Sequence, residues 1–281
     1  MLGQIASGDR WEPIPLLETL KDKAKEAGLW NLFLPESERG AGLTNLEYAP
    51  LCEQMGRSQF APEVFNCSAP DTGNMEVIER YGTDEHKEKW LKPLLNGEIR
   101  SAFAMTEIEV ASSDATNIET SIDRDGDDYV LNGRKLFITN GPVADVLLVY
   151  AKTAPELGNK GISAFIVENS FDGFGVAQKL DKMGWRGSPT GELVFDDCRV
   201  PAGNLIGEEN RGAGIMMSGL DIERTIGAFY CLGMTQRALD ITVEYANTRI
   251  QFGKRIGEFQ MVQAILADMY TDLETMRAIT Y

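Results

Sequence analysis

Histidine is nearly absent. The chain has one, His86, inside the run DEHKEK. A single imidazole excludes His-rich zinc sites and zincin motifs, and it excludes Ser-His-Asp and Cys-His catalysis unless His86 itself takes part. Its charged neighbours place it on a solvated helix face. Cysteine is scarce as well: Cys52, Cys67, Cys198 and Cys231 are irregularly spaced, with no CxxC pair. That spacing reads as small apolar fillers in a reducing compartment, not as a disulfide frame or metal site. No run reaches the ~18 apolar residues of a membrane span. The opening MLGQIASGDRWEP has no basic start followed by an apolar stretch, so no secretory leader is visible. GxGxxG, GxxxxGKS/T and GxSxG are all missing, which removes the common phosphate loops and the nucleophile elbow. Positive charge is in deficit, with 27 Lys and Arg against 43 Asp and Glu and a net charge of −16. Nucleic acid or an anionic membrane surface would need the basic patch this balance argues against.

What is present is a chain long enough for two domains, 281 residues, with an ordinary 43% of hydrophobic residues to build a core. Its texture changes twice. From Pro13 to about Gly97 it reads as helices: Leu16, Leu17, Leu20, Ala24, Ala27 and Leu29 recur at helical spacing. Thr44 with Glu47 forms a capping-box pattern, Asn74 to Tyr81 looks helical with Gly82 as a left-handed stop, and Thr83 caps a short helix through Trp90.

From Ser101 to Pro201 the texture is strands: SAFAMT, TNIETSI, DYVLNG, KLFITN, DVLLVYAK, GISAFIVE, GFGVAQKL and GELVFDDCRVP. Asp125-Gly126 and Asn132-Gly133 are hairpin signals. From about Gly212 the helical period returns, in one helix through Phe229, a second over Leu239 to Thr248 and a third from Phe259 to Tyr281. The third carries an apolar stripe of Met261, Ile265, Met269, Leu273, Met276 and Ile279 with no C-cap, which reads as a fragment whose partner helices are missing, with a frayed last helix of a complete protein as the alternative. The pattern predicts an α+β multidomain chain. An α-helical domain spans 1–98, an antiparallel β-barrel or sandwich domain 99–207, and an incomplete C-terminal helical-bundle domain 208–281.

Eight strings carry a resemblance: YGTDEHKEKWLKPLLNGE, AFAMTE with SSD, YVLNGRKLFITNG, KGISAFIVE, MGWRGSPTGELVFDDCRVP, NLIGEENRGAGIMM, LDIERTIGA and RIQFGKRIGEFQ. In this order they make the chain similar to the acyl-CoA dehydrogenases, flavoenzymes of α–β–α arrangement. The stretch SGLDIERTIG resembles isovaleryl-CoA and long-chain members. The resemblance implies FAD as cofactor, an acyl-CoA substrate of branched short-chain type, reoxidation by an electron-transfer flavoprotein, and a homotetramer in fatty-acid or branched-chain amino-acid catabolism. Its setting would be the bacterial cytoplasm or the mitochondrial matrix. An acyl-CoA oxidase of the same fold, or a catalytically incomplete acyl-CoA- or flavin-binding piece, remains open on sequence alone.

The implied reaction is α,β-desaturation, which needs a base for the α-proton and donors around a flavin. The resemblance assigns the base to Glu223 in LDIERTIG. The residues alone favour a solvated glutamate, though Gly227, one turn on, leaves room beside the carboxylate. Burial would raise such a carboxyl from its free value near ~4.3 toward neutrality. Asp221 and Arg224, three apart and able to pair, match positions that face pantetheine and ligand cavity; a surface ion pair is the plain alternative. Phe103, Met105, Thr106 and Ser112 match the flavin loop, with Ser113 toward the substrate; the residues alone favour a capping or hairpin loop. Here Phe103 replaces a more usual tyrosine and Ile108 a usual proline. Phe137 and Thr139 match the aromatic-x-Thr strand beside the flavin, with Phe137 in place of a larger indole. A strand phenylalanine is otherwise core. Arg249, Gln251 and Phe252 match a string that reaches the neighbouring subunit's flavin diphosphate and adenine, Arg249 through its bidentate fork. Arg186 and Ser188 mark a loop near the ligand mouth.

Overall fold

The computed structural model describes residues 10–35, 37–110 and 114–281. Its helices are α1 (Pro15–Glu26), α2 (Asn45–Gly56), α3 (Ala61–Val64), α4 (Asp71–Tyr81), α5 (Asp84–His86), α6 (Lys92–Asn96), α7 (Gly212–Thr248) and α8 (Gln260–Thr280). Its strands are β1 (Ser101–Ala104), β2 (Ser121–Asp125), β3 (Asp128–Thr139), β4 (Val146–Lys152), β5 (Ile162–Glu168), β6 (Phe174–Lys179), β7 (Thr190–Pro201), β8 (Leu205–Ile206), β9 (Ile250–Gln251) and β10 (Lys254–Arg255). Helical, strand and helical regions follow one another as the patterning predicts. The chain divides into two compact units: the described residues up to Leu20 with Asn66–Asp221, and Lys21–Phe65 with Ile222–Tyr281.

The first unit holds an eight-stranded sheet of order β6-β7-β3-β2-β4-β5-β8, with β1 paired to β4. Its pairings are antiparallel except at β4, which takes β1 and the start of β2 in parallel. The strand pattern predicts only antiparallel pairs. The β2–β3 hairpin lies between β1 and β4, a connection long enough to bring the chain back in parallel. Asp125-Gly126 closes that hairpin, with Gly126 at φ +65°.

Asn132-Gly133 is not a second turn. β3 runs straight through it, with a register shift against β7 between Leu131 and Gly133. Gly133 sits at φ +148°, and a Cβ there would stand 2.6 Å from Thr120 Oγ1. The glycine serves a bulge packed against a neighbour. DYVLNG and KLFITN are therefore one strand. The core gathers Tyr129, Leu131 and Ile138 of β3 with Leu147, Val149, Phe165, Leu193 and Phe195.

His86 is not solvated. It is 3% exposed. Thr83 caps α5 as expected, its Oγ1 accepting from His86 N at 3.2 Å. His86 Nδ1 accepts in return from Thr83 N at 3.3 Å, so the imidazole fills the role of the capping-box glutamate. Its Nε2–H donates to the Gly203 carbonyl. The helix turns this one residue inward while its charged neighbours Asp84, Glu85 and Glu88 stay exposed. Gly82 is also different from expectation. Its φ is −76°, not left-handed, and glycine is needed because a Cβ would lie 2.5 Å from Ile78 O. The left-handed stop falls at Gly97, φ +74°, after α6.

In the second unit, Thr44 and Glu47 form the expected capping box at the start of α2, with Glu47 N donating to Thr44 Oγ1 at 3.3 Å and Thr44 N to Glu47 Oε2 at 2.9 Å. α7, whose residues 212–221 belong to the first unit and the rest to the second, is one helix of 37 residues where the sequence suggested two. It contains no proline, so nothing forces a break. On α8, Leu273 is buried, while Met261 and Ile279 are 83% and 80% exposed. Among the described residues no helix is long and apolar enough to cross a membrane.

Candidate functional site

In the first unit the sequence-derived positions cluster where β1 ends. Phe103 is half-buried, its ring centroid 5.2 Å from that of Tyr150. Met105 and Thr106 follow the strand and are half-buried. The start of β1 is fixed by Asp71, the first residue of α4. Its buried carboxylate accepts from Ser101 N and Oγ, both at 2.6 Å, and from Arg100 Nε at 2.9 Å. Three donors on one carboxylate, one of them cationic, satisfy it without water.

The end of β1 is held by β3. Leu136 N donates to Thr106 O at 2.8 Å. β3 can spare that donor because its register against β7 shifts between Lys135 and Ile138. Within the bulge Phe137 takes φ +60° and is 64% exposed, while Ile138 returns to the core. Thr139 is half-buried. An aromatic ring in the left-handed region, turned outward, is strained by about 1–3 kcal/mol. The strand thus places Phe137 and Thr106 at one edge of the sheet through a direct backbone bond. Ser112 and Ser113 lie outside the described residues.

Sequence reasoning missed the group beneath that edge. Lys135 is fully buried, and its Nζ donates to Glu107 Oε1 at 2.7 Å, Tyr150 O at 2.8 Å and Met105 O at 3.1 Å. Burial pulls the ammonium down to about 8, against the support of the Glu107 charge. It stays protonated at neutral pH. Burial also works to raise the Glu107 carboxyl, but the Lys135 charge and hydrogen bonds from Lys135, Thr120 and the Glu119 N–H outweigh it, so the carboxyl sits below its usual range. Parity held the signal: Lys135 shares the odd phase of buried Tyr129 and Leu131.

The loop before β7 carries Arg186 and Ser188. Arg186 is exposed and paired with Asp181 at 2.7 Å, and Ser188 N donates to Trp185 O. Asp221, which ends the first unit, is exposed.

In the second unit Glu223 is half-buried on α7, and its Oε1 is cut off from solvent. One turn on, a Cβ built at Gly227 meets no heavy atom within 4 Å. A carboxylate shielded from water beside open space is a suitable place for a base and an apolar ligand. Arg224 is exposed. Arg249, Gln251 and Phe252 lie on the β9–β10 hairpin, all exposed, with Phe252 at φ +51° and 92% exposed.

Comparison with known proteins is uniform. Family profiles match along the chain for the acyl-CoA dehydrogenase N-terminal domain (4–98), middle domain (102–198) and C-terminal domain (210–281). Acyl-CoA dehydrogenase family member 10 of Mus musculus is 45% identical over 98% of this chain and 27% of its own length. Mitochondrial isovaleryl-CoA dehydrogenase of Pongo abelii is 43% identical over 90% of this chain and 60% of its own. The chain therefore spans less than two-thirds of these curated relatives. A solved structure assigned as an acyl-CoA dehydrogenase from Mycobacterium abscessus superposes with a TM-score of 0.91 at 42% identity, covering 96% of this chain and 68% of that one. PigA, solved with FAD and proline, gives 0.85 at 31% identity, covering 99% and 71%. Sequence, domain order and fold agree, and the chain belongs to the acyl-CoA dehydrogenase family.

Proposed function

We propose that the protein dehydrogenates an acyl-CoA thioester between its α and β carbons, with Glu223 as the base. The observation that carries this reading is the Glu223 carboxylate, shielded from solvent at Oε1 and one turn from the open space at Gly227. The likeness to an isovaleryl-CoA dehydrogenase favours a branched short acyl chain.

FAD, when bound, supplies the acceptor for the β-hydride. Residues of this chain fit it. Phe137 offers an outward aromatic face at a strained position, where a planar ring can stack and keep water away. Thr106 offers a hydroxyl and an N–H at the same edge, Met105 and Phe103 back them, and Thr139 adds a second hydroxyl. Arg249, with Gln251 and Phe252, supplies cation, amide and aromatic ring for a diphosphate and adenine in an otherwise acidic chain. Asp221 and Arg224 orient the thioester arm. On the same reading Ser112 and Ser113 touch cofactor and substrate, a soluble electron-transfer flavoprotein takes the electrons, and the protein works as a homotetramer.

The test is optical. Anaerobic holoprotein should lose its flavin absorption band on addition of isovaleryl-CoA. Glu223→Gln should keep flavin and ligand but lose the bleaching by about a thousandfold or more in rate, the scale of removing a general base. Bleaching of the variant at the unaltered rate would place the base elsewhere.

A further inference from the structure

The Lys135–Glu107 pair is unusual in having no exposure: side-chain exposures are 0% and 5% at an N–O distance of 2.7 Å. Such a pair is poor evidence of stability, because desolvating two charges offsets most of their attraction. Its position suggests another use. All three ammonium hydrogens are committed, one to the Glu107 carboxylate and two to the backbone carbonyls of Met105 and Tyr150. Glu107 also accepts from Glu119 N at 2.6 Å and Thr120 N at 3.1 Å. Residue 106 is thus bracketed. The carbonyl before it is held by Lys135, its own carbonyl by Leu136 N, and the side chain after it by Lys135 again. The same two residues of β3 lead directly into the bulge that turns Phe137 outward.

We propose that the buried Lys135–Glu107 pair is a positioning device that fixes the orientation of Thr106 and the Phe137 bulge toward the flavin, acting through them without touching it. This rests on the reading of that edge as the flavin site. Nζ holds the Met105 carbonyl on one side of Thr106 and the Glu107 carboxylate on the other, so both flanks of Thr106 are tied to one ammonium. Leu136 N sets the spacing between β1 and the bulge. A planar cofactor then meets donors and an aromatic face already in place, with little ordering left to do on binding.

The experiment uses the full chain, with FAD affinity by equilibrium dialysis, the visible flavin spectrum and unfolding by urea as readouts. Three variants are compared: Lys135→Met, Glu107→Gln and the double variant. Ile122→Ala, which truncates a core side chain of β2, serves as a control of lowered stability. The double variant leaves no buried charge unpaired, and the glutamine oxygen still accepts from one of the two N–H groups of Glu119 and Thr120, so its urea midpoint recovers relative to Glu107→Gln. Its FAD affinity stays as low as that of Lys135→Met, because Met105 O and Tyr150 O lack their Lys135 donor in both. We expect FAD binding about tenfold weaker in Lys135→Met and in the double variant, ~1.4 kcal/mol, with an altered flavin band. Ile122→Ala should bind FAD normally. If affinity and spectrum follow the urea midpoint through all variants, the pair is only structural and the proposal is overturned. Unaltered FAD affinity and spectrum in folded Lys135→Met overturn it as well. Failure of the unsubstituted protein to bind FAD overturns instead the reading on which it rests.

Discussion

Gly56 of α2 and Gly233 of α7 meet backbone to backbone. A Cβ on Gly233 would lie 2.8 Å from Gly56 Cα and 2.0 Å from Glu53 O, and one on Gly56 would lie 2.3 Å from Tyr230 O. The two helices cross at a point where neither can carry a side chain. Around the crossing, Arg57 pairs with Asp240 at 2.6 Å, and the Tyr48 and Tyr230 hydroxyls lie 3.1 Å apart. Gly233→Ala pushes a methyl group into backbone, which cannot give way as a side chain would. It should destabilise the helical unit by about 3 kcal/mol. A urea midpoint unchanged from the wild type would show that the helices part at little expense.

His86 makes a comparable test in the first unit. Nδ1 accepts from Thr83 N and Nε2–H donates to Gly203 O, a pattern that needs the neutral Nε2–H tautomer. His86→Ala keeps the Thr83 cap but takes the acceptor from Thr83 N and the donor from Gly203 O, a loss of about 2 kcal/mol. Chemical denaturation checks it, and a loss below a few tenths would return His86 to the solvated role its neighbours suggested.

How much of this was legible in the sequence follows from where each signal resides. Thr44 with Glu47 and Asp125-Gly126 are local patterns, and local patterns survive folding: both appear as read. Gly82, Gly133 and Gly233 are glycines for reasons that lie in space, a carbonyl of the preceding turn, a threonine side chain and a crossing helix. A string cannot separate these from turn glycines. The bulge at Phe137 reverses strand parity, so a period of two carried on from Leu131 mistakes which side chains face inward. At Lys135 charge outweighs the inward parity of the strand, and at Asp71 it stands alone; charge argues for solvent until the partners Glu107, Ser101 and Arg100 are brought to them.

The Lys135 ammonium gives a pH signature. Its native pKa is lowered to about 8 by burial, with the Glu107 charge opposing. In the unfolded chain a lysine titrates near ~10.4. Between those values the unfolded state holds a proton that the native state has released, so this group makes stability rise with pH across the window. The urea midpoint of the wild type should gain on that of Lys135→Met from about pH 8 to ~10. Parallel curves for the two proteins would mean an ordinary lysine.

The four thiols should separate by reactivity. Cys198 is buried, and burial with the nearby Asp172 charge pushes its thiol up to about 11. Cys52 and Cys67 are buried, and Cys231 is exposed on α7. Thiolate is the reactive form and needs access to reagent. Iodoacetamide at mildly alkaline pH should label Cys231 in the native protein and the other three only in urea. Mass spectrometry of the labelled peptides checks it, and early labelling of Cys198 would contradict the packing of β7.

Arg249 tests the proposed cofactor contact apart from the fold. Its N–H donates to Tyr245 O and its carbonyl accepts from Ile256 N, both at 2.9 Å, so its backbone joins the end of α7 to the β9–β10 hairpin. Arg249→Ala keeps both bonds and removes only the guanidinium. A bidentate contact to a phosphate contributes roughly 1.5–3 kcal/mol, so FAD retention should fall ~10- to 100-fold while the urea midpoint of the FAD-free protein holds. Arg249→Lys should recover part of the loss, because an ammonium supplies the charge without the fork. Equal retention in all three proteins would remove Arg249 from the diphosphate and leave the exposed hairpin without its proposed role.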